Sequence, residues 1–329
     1  MNKNIFVTGA TGLVGSYLVR HLLAQGKNNI RALRRSESNT KLVADFYDLV
    51  TWVEGDILDL PSLEDAMDGV QQVYHCAAMV SFEPRNVARM MKVNVEGTAN
   101  VVNTAMFRGV EKLVHVSSIA AIGRNLRQPD VTENSKWQRS PINSNYAISK
   151  YLAEQEVWRG SVEGLAVGIV NPSVVIGAGD WSGGSAALFQ RVSDGLKYYS
   201  AGATGFVAAQ DVARFMVLLM ESEMSEERYI LNGENQTYQW FFEKVAQALG
   251  KNPPTFRVTS FLSEVAWRIE WLRSKLTGKD SIITKETSRT AQHRFFYDNN
   301  KSKTAFNFEY TAIEKAIADT AAAFKKEHG

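Results

Sequence analysis

Cys76 is the chain's one cysteine, so no internal disulfide can form and a reducing compartment suits the chain. Histidine is scarce as well. His21, His75, His115, His293 and His328 are scattered without ligand spacing, and no metal site is expected. Neither sign of charge dominates. Lys and Arg number 37 against 35 Asp and Glu, a net of +2, which lacks the basic excess of a general nucleic-acid binder. Long apolar runs are missing too. Residues 206–220 come nearest, and Gln210, Asp211 and Arg214 interrupt them, so no membrane span is expected. Strand character begins near residue 3, which leaves no secretory leader to expect, and the expected location is cytoplasmic. There is no internal repeat and no low-complexity tract. The 329 residues suffice for one large or two small domains with a sizeable core.

The first stretch is rich in what matters. Ile5-Phe6-Val7-Thr8 reads as a strand and runs into Gly9, Gly12 and Gly15, spaced G-x-x-G-x-x-G. Val14, Leu18, Val19 and Leu22 then recur at helical spacing, with Gly26 as a stop. Strand, glycine turn and helix together form the context of a dinucleotide site. Glycine admits unusual backbone angles and close approach, and a helix N-terminus presents free N–H groups to a pyrophosphate. Thr8, Gly9, Thr11, Gly12, Leu13, Val14 and Gly15 are therefore the expected cofactor cradle.

Further strands end in residues suited to the same ligand. About 20 residues past the glycines, an acid would hold the ribose of NAD, whereas an Arg accommodates the extra phosphate of NADP. Arg34 and Arg35 stand there, and no acid occurs before Glu37, so NADP(H) is favoured and NAD(H) remains open. Asp56, after the strand Thr51-Trp52-Val53, reads either as an adenine contact or as a turn residue. Ala77 and Ala78 give the fourth strand a small-residue exit that lets backbone lie close to a cofactor. Asn94 falls inside a long helix expected over residues 86–108. It points either to solvent or inward, where it bonds backbone and holds a water near the active site. Ser117 and Ser118 end the strand from Leu113, at the sheet edge where ligands bind. After a long polar loop, Tyr146 and Lys150 lie one turn apart on a helix. A sixth strand leads to Asn171-Pro172-Ser173-Val174.

Strands and helices alternate up to residue 177, which implies an α/β fold with a doubly wound parallel sheet of Rossmann type. The expected division is a dinucleotide-binding domain over residues 1–177 and about 206–222. A smaller, mainly helical substrate part covers about 178–205 and 223–329.

Taken together and in order, these residues resemble the extended short-chain dehydrogenase/reductase superfamily over nearly the whole chain. The matching parts are Thr8 to Gly15, Gly55-Asp56-Ile57, His75 to Ala78, Asn94 with Gly97-Thr98, Ser117-Ser118, Tyr146 with Lys150, and Asn171-Pro172-Ser173. The likeness is strongest to the branch of dihydroflavonol reductases, cinnamoyl-CoA reductases, 3β-hydroxysteroid dehydrogenases and relatives labelled epimerase/dehydratase. The resemblance implies Ser118 as the catalytic serine, five residues before Gly123. It implies Tyr146 as general acid/base, with Lys150 binding the nicotinamide ribose and lowering the tyrosine's pKa. Asp56 and Ile57 would meet adenine, and Pro172, Ser173 and Val174 the nicotinamide end.

Three functions compete. A carbonyl reductase or alcohol dehydrogenase comes first, and a nucleotide-sugar epimerase or dehydratase that retains its cofactor second. The third is a non-catalytic NADP-binding sensor, disfavoured because Tyr146 and Lys150 are both present. Sugar-nucleotide relatives typically carry Arg-Asp where this chain has Thr204-Gly205, which favours the reductase. The expected partner is a small-molecule carbonyl or alcohol, with Phe82, Trp137, Trp181, Phe189 and Tyr198 either lining its pocket or packing the core. A monomer and a homodimer both fit.

Overall fold

The computed structural model describes residues 3–277 and 284–328. Seven parallel strands form its main sheet: Ile5–Thr8 (β1), Ile30–Arg34 (β2), Thr51–Glu54 (β3), Gln72–His75 (β4), Lys112–Val116 (β5), Ala166–Pro172 (β6) and Glu227–Leu231 (β7). Their spatial order is β7-β6-β5-β4-β1-β2-β3. All four residues of β1 and of β4 are buried, as expected where helices cover both faces of a parallel sheet. The order reverses between β1 and β4, and ligands of open α/β sheets bind outside such a switch point.

Helices α1 (Leu13–Ala24), α2 (Gly97–Phe107), α3 (Asn145–Val162) and α4 (Ala209–Glu221) flank the sheet. One face packs Val7, Leu18, Leu22, Phe215 and Leu219 into a common core. The other packs Phe6, Leu33, Val101, Val102 and Val157. A third core joins Trp181, Phe189, Phe206, Phe241 and Phe324 in the C-terminal part, where Phe206 stacks on Phe241 at 4.7 Å.

The helix expected over residues 86–108 is interrupted. Val87–Met91 passes into a π-helical stretch, Lys92–Glu96, before α2 resumes the regular pattern. Such wide turns cluster at functional sites. This one holds Asn94 and turns it into the protein. The loop between β5 and α3 is also more ordered than a plain loop. Its Asp130–Val131 pairs with Phe296–Tyr297 near the end of the chain.

Candidate active site

Two of the cradle's three glycines are needed for steric reasons. Gly9 has φ +70°, and a Cβ there would lie 2.6 Å from the Ala77 nitrogen. A Cβ on Gly15 would lie 2.2 Å from the Gly9 oxygen. Gly12 differs. Its φ is −89°, and the nearest atom to a Cβ would be the Gly9 oxygen at 3.3 Å. Gly12 opens α1 with no capping side chain and no acid in the first turn, so the free N–H groups and positive dipole end are left for an anion. The dinucleotide pyrophosphate suits this arrangement. Replacing Gly12 with Ala should therefore leave thermal stability within about 0.5 kcal/mol of the parent. The same change should weaken dinucleotide binding at least about tenfold by calorimetry. Gly15→Ala should lose both.

A chain of hydrogen bonds runs from the cradle towards Asn94. The Ala77 N–H donates to the Thr8 hydroxyl at 3.2 Å. Thr8 Oγ1 lies 2.7 Å from His75 Nδ1, and His75 Nε2 lies 3.0 Å from Thr98 Oγ1. Thr98 donates its own proton to the Asn94 carbonyl at 2.6 Å. The directions fix the tautomer: Thr98 accepts from His75 Nε2–H, which leaves Nδ1 to accept from Thr8. Burial, together with the charge on Lys150, pushes the His75 pKa down to about 3, so the ring stays neutral. Asn94 is buried and fully engaged. Its amide accepts from Met79 N–H at 2.7 Å and donates to the Met79 carbonyl and Ser149 hydroxyl, each at 2.9 Å. It thus ties the loop after β4 to α3. Of its two sequence readings, the buried and backbone-bonded one holds.

Ser118, Tyr146 and Lys150 converge on this corner. Ser144 caps α3 by accepting from Ala147 N–H at 3.0 Å, which sets the register that presents Tyr146 and Lys150. The Ser118 oxygen accepts from Ala120 N–H at 3.1 Å, leaving its proton for donation, and it bonds Tyr146. Phe82 packs edge-on against the Tyr146 ring at 5.8 Å. Lys150 is buried and donates to the Val116 carbonyl at 2.8 Å.

In the chain alone the tyrosine pKa is raised: burial is the main cause, and the Ser118 hydrogen bond partly opposes it. Burial brings the lysine itself to about 8, against the neighbouring Glu154 carboxylate, which raises it.

Glu154 is the site residue that the sequence reading missed. It is fully buried one turn beyond Lys150. Its Oε2 accepts from Ser117 at 2.6 Å and from Asn171 at 2.8 Å. Its Oε1 accepts from Arg228 at 2.9 Å and from Trp158 at 3.4 Å. Asn171 also donates to the Ser118 carbonyl at 3.0 Å. Ser117, expected among the cofactor contacts, is therefore buried with its hydroxyl committed to Glu154. The available signal was the spacing of Tyr146, Lys150 and Glu154, three residues at intervals of four along one helix face.

The remaining expected residues fall as follows. Pro172 ends β6, Ser173 donates to the Leu231 carbonyl at 3.2 Å, and Val174 pairs with Phe206 in the strand that follows. Ala78 is exposed beside Ala77 at the exit of β4. Leu13 and Val14 are half-buried in the first turn of α1, next to Thr11. Asp56 uses one oxygen to accept from Leu58 N–H at 2.9 Å, a turn contact that leaves the other oxygen uncommitted. Ile57 is buried against Gly97. Arg34 has a buried Nε with no partner, and Arg35 is exposed and pairs with Glu37 at 3.1 Å. Of the five aromatics weighed for the pocket, Phe82 alone meets Tyr146, edge-on. Trp181 and Phe189 belong to the third core, Trp137 stacks on Tyr151, and Tyr198 meets Phe256 on an exposed edge.

A glycine cradle at the switch point of a doubly wound sheet, beside a Ser-Tyr-Lys group, defines the class of α/β oxidoreductases that use a nicotinamide dinucleotide. The chain belongs to the NAD dependent epimerase/dehydratase family, whose family model matches residues 5–232. It is 30 % identical over 331 residues to sterol demethylase protein B of Methylococcus capsulatus, across 97 % of this chain and 98 % of that protein. Cinnamoyl-CoA reductase 1 of Petunia hybrida is 29 % identical over 241 residues, 69 % of this chain and 71 % of that one. The crystal structure of gox2253 matches with a TM-score of 0.83 at 31 % identity, over 100 % of this chain and 99 % of that chain. The protein is an NAD(P)-dependent oxidoreductase.

Proposed function

We propose that the chain is a carbonyl reductase that prefers NADPH and also runs as an alcohol dehydrogenase in reverse. The observation that carries this reading is the small, closed position at Thr204-Gly205. The strand Ala203–Ala208 pairs with Val174–Ile176, immediately past the nicotinamide end of the site. Thr204 is buried, and a Cβ on Gly205 would lie 2.2 Å from Asn232 Oδ1 and 2.9 Å from Ser173 Cβ. Neither Thr204 nor Gly205 is a cation, and a charge-assisted contact is what a sugar diphosphate would need. Arg294, one possible substitute, donates instead to the Ala201 carbonyl at 3.2 Å. The apolar edge of Phe82 against Tyr146 suits a carbonyl on an apolar or aromatic frame. A reductase among the relatives supports the same direction.

The bound nicotinamide supplies the hydride. The chain's own residues handle the oxygen. Ser118 accepts from Ala120 N–H on one lone pair and offers its proton to the substrate carbonyl, which orients the carbon. Tyr146 gives the proton that turns the developing alkoxide into an alcohol. Lys150 holds positive charge beneath that exchange, steadied by Val116 and by the Glu154 carboxylate.

The test is consumption of NADPH with a panel of soluble aldehydes and ketones. Turnover of a sugar nucleotide with no net change in cofactor, and none on the panel, overturns the reading. The cofactor preference has its own check. Replacing Arg34 and Arg35 with Ala should weaken NADPH binding roughly tenfold to a hundredfold, with NADH nearly unchanged, because each lost arginine–phosphate bond is charge-assisted. Equal losses for the two dinucleotides, measured by calorimetry, contradict it.

A further inference from the structure

The helix Ser260–Thr277 turns its apolar side outward. Phe261, Ile269 and Leu272 are 76, 62 and 52 % exposed, and Leu262, Val265 and Trp271 are exposed with them. At 3.6 residues per turn, Phe261, Leu272, Val265, Ile269 and Leu262 fall on one continuous arc of about 100°. Arg268 and Lys275 border that arc on one side and Arg273 on the other. The opposite side of the helix faces inward. Ser263 is buried and bonds Ser288 of the following helix, Lys285–Thr290. Both acids of the helix are paired with arginine: Glu264 with Arg268 and Arg289, and Glu270 with Arg273. Lys275 lies over the Trp271 ring at 5.1 Å and Lys285 over Trp267 at 5.8 Å, with no ion pair to either among the described residues.

We infer that this helix docks the protein onto an anionic lipid surface. Its pattern is that of an interfacial helix: bulky apolar residues along one stripe, cations along its borders with the exposed Trp271 beyond them, and no capacity to span a bilayer. Charge selects this occupant over a second copy of the chain. Residues 256–290 hold seven Lys and Arg against four Asp and Glu, an excess of three in a chain whose total excess is two. A twofold dimer sets the same patch against itself, so this excess would meet its own image. The negative surface of a membrane complements it. The orientation bears on the site. Glu286 accepts from the backbone and side chain of Asn145, the residue before Tyr146, so the docked hairpin sits against the start of the catalytic helix. The expectation of no membrane partner rested on the lack of a spanning run, and an interfacial helix needs none.

Co-sedimentation with vesicles tests this without any substrate, so its outcome is separable from that of the reductase reading. The full chain should pellet with phosphatidylcholine vesicles containing about 30 % phosphatidylglycerol and much less with phosphatidylcholine alone. Added salt should release it. The double variant Ile269→Glu/Leu272→Glu should lower the bound fraction at least about tenfold, with NADPH binding retained as the check on folding. Should that variant fail to fold, Lys275→Glu serves in its place and should narrow the preference for anionic vesicles. A wild-type chain that stays in the supernatant with both vesicles overturns the inference. So does a dimer, seen by light scattering, that Ile269→Glu/Leu272→Glu dissociates, because the face then belongs to a second copy.

Discussion

Replacing Tyr146 with Phe is expected to lower kcat for carbonyl reduction by about 10²- to 10⁴-fold, the range of a positioned general acid, with NADPH affinity almost unchanged. The substitution removes one oxygen and keeps the ring, so the edge-on contact with Phe82 survives. Ser118 bonds the tyrosine and cannot replace it. Its oxygen already accepts from Ala120 N–H, and a serine hydroxyl is a far weaker acid than a phenol. The pH dependence gives the same residue a second test. Burial holds the Tyr146 pKa above its usual value, so the hydroxyl is protonated across the neutral range and ready to donate. Lys150 is brought down to about 8 and loses its charge above that. Reduction should therefore be level to about pH 8 and then fall as Lys150 loses its charge, whereas oxidation of the alcohol, which needs the tyrosine deprotonated, should rise only at higher pH, toward the raised tyrosine pKa. A Tyr146→Phe protein that keeps more than about a tenth of wild-type kcat would show that another group moves the proton.

What could be read in advance follows the range over which each signal acts. Gly9, Gly12 and Gly15 are legible because strand, turn and helix succeed one another within twenty residues, and each element has its own period. Ser118, Tyr146 and Lys150 are legible because they sit at element boundaries or one helical turn apart. The π-helical stretch around Asn94 was not, since one extra residue per turn leaves no mark on an apolar pattern centred on Val93 and Val95. Tyr146's raised pKa was not, because it depends on how deeply tertiary packing buries the hydroxyl. The roles of Trp181 and Phe189 were open for a related reason: an aromatic residue reads alike in a pocket and in a core, and only the partners Phe241 and Phe324 decide. Glu154 is the strongest case. Apart from Trp158 one turn on, its donors lie 37 residues before it and 17 and 74 after it, just past β5 and on β6 and β7, and no local pattern announces them.

Glu154 is expected to show that this hidden carboxylate supports both the fold and the chemistry. Glu154→Leu leaves Arg228 without its ion pair and Ser117 and Asn171 without their acceptor, so it should cost about 3–5 kcal/mol of stability in a denaturant melt. Removing the stranded cation as well, in Glu154→Leu/Arg228→Leu, should recover part of that loss. Such a result by itself would fit a purely structural residue. Glu154→Gln separates the two roles, because it keeps the shape and some of the hydrogen bonds and removes the charge. The carboxylate raises the Lys150 pKa against burial, so its loss should take the lysine below about 8. The alkaline fall in reduction should then begin at lower pH, with kcat affected more than KM. The stability cost has a matching sign. A lysine with a depressed folded-state pKa is hardest to keep charged, so Glu154→Gln should cost most below pH 8, where wild-type Lys150 is protonated, and least above it. An unmoved alkaline limb in Glu154→Gln, together with a pH-independent loss of stability, would reduce Glu154 to a packing role and leave the Val116 carbonyl as the contact that holds the lysine.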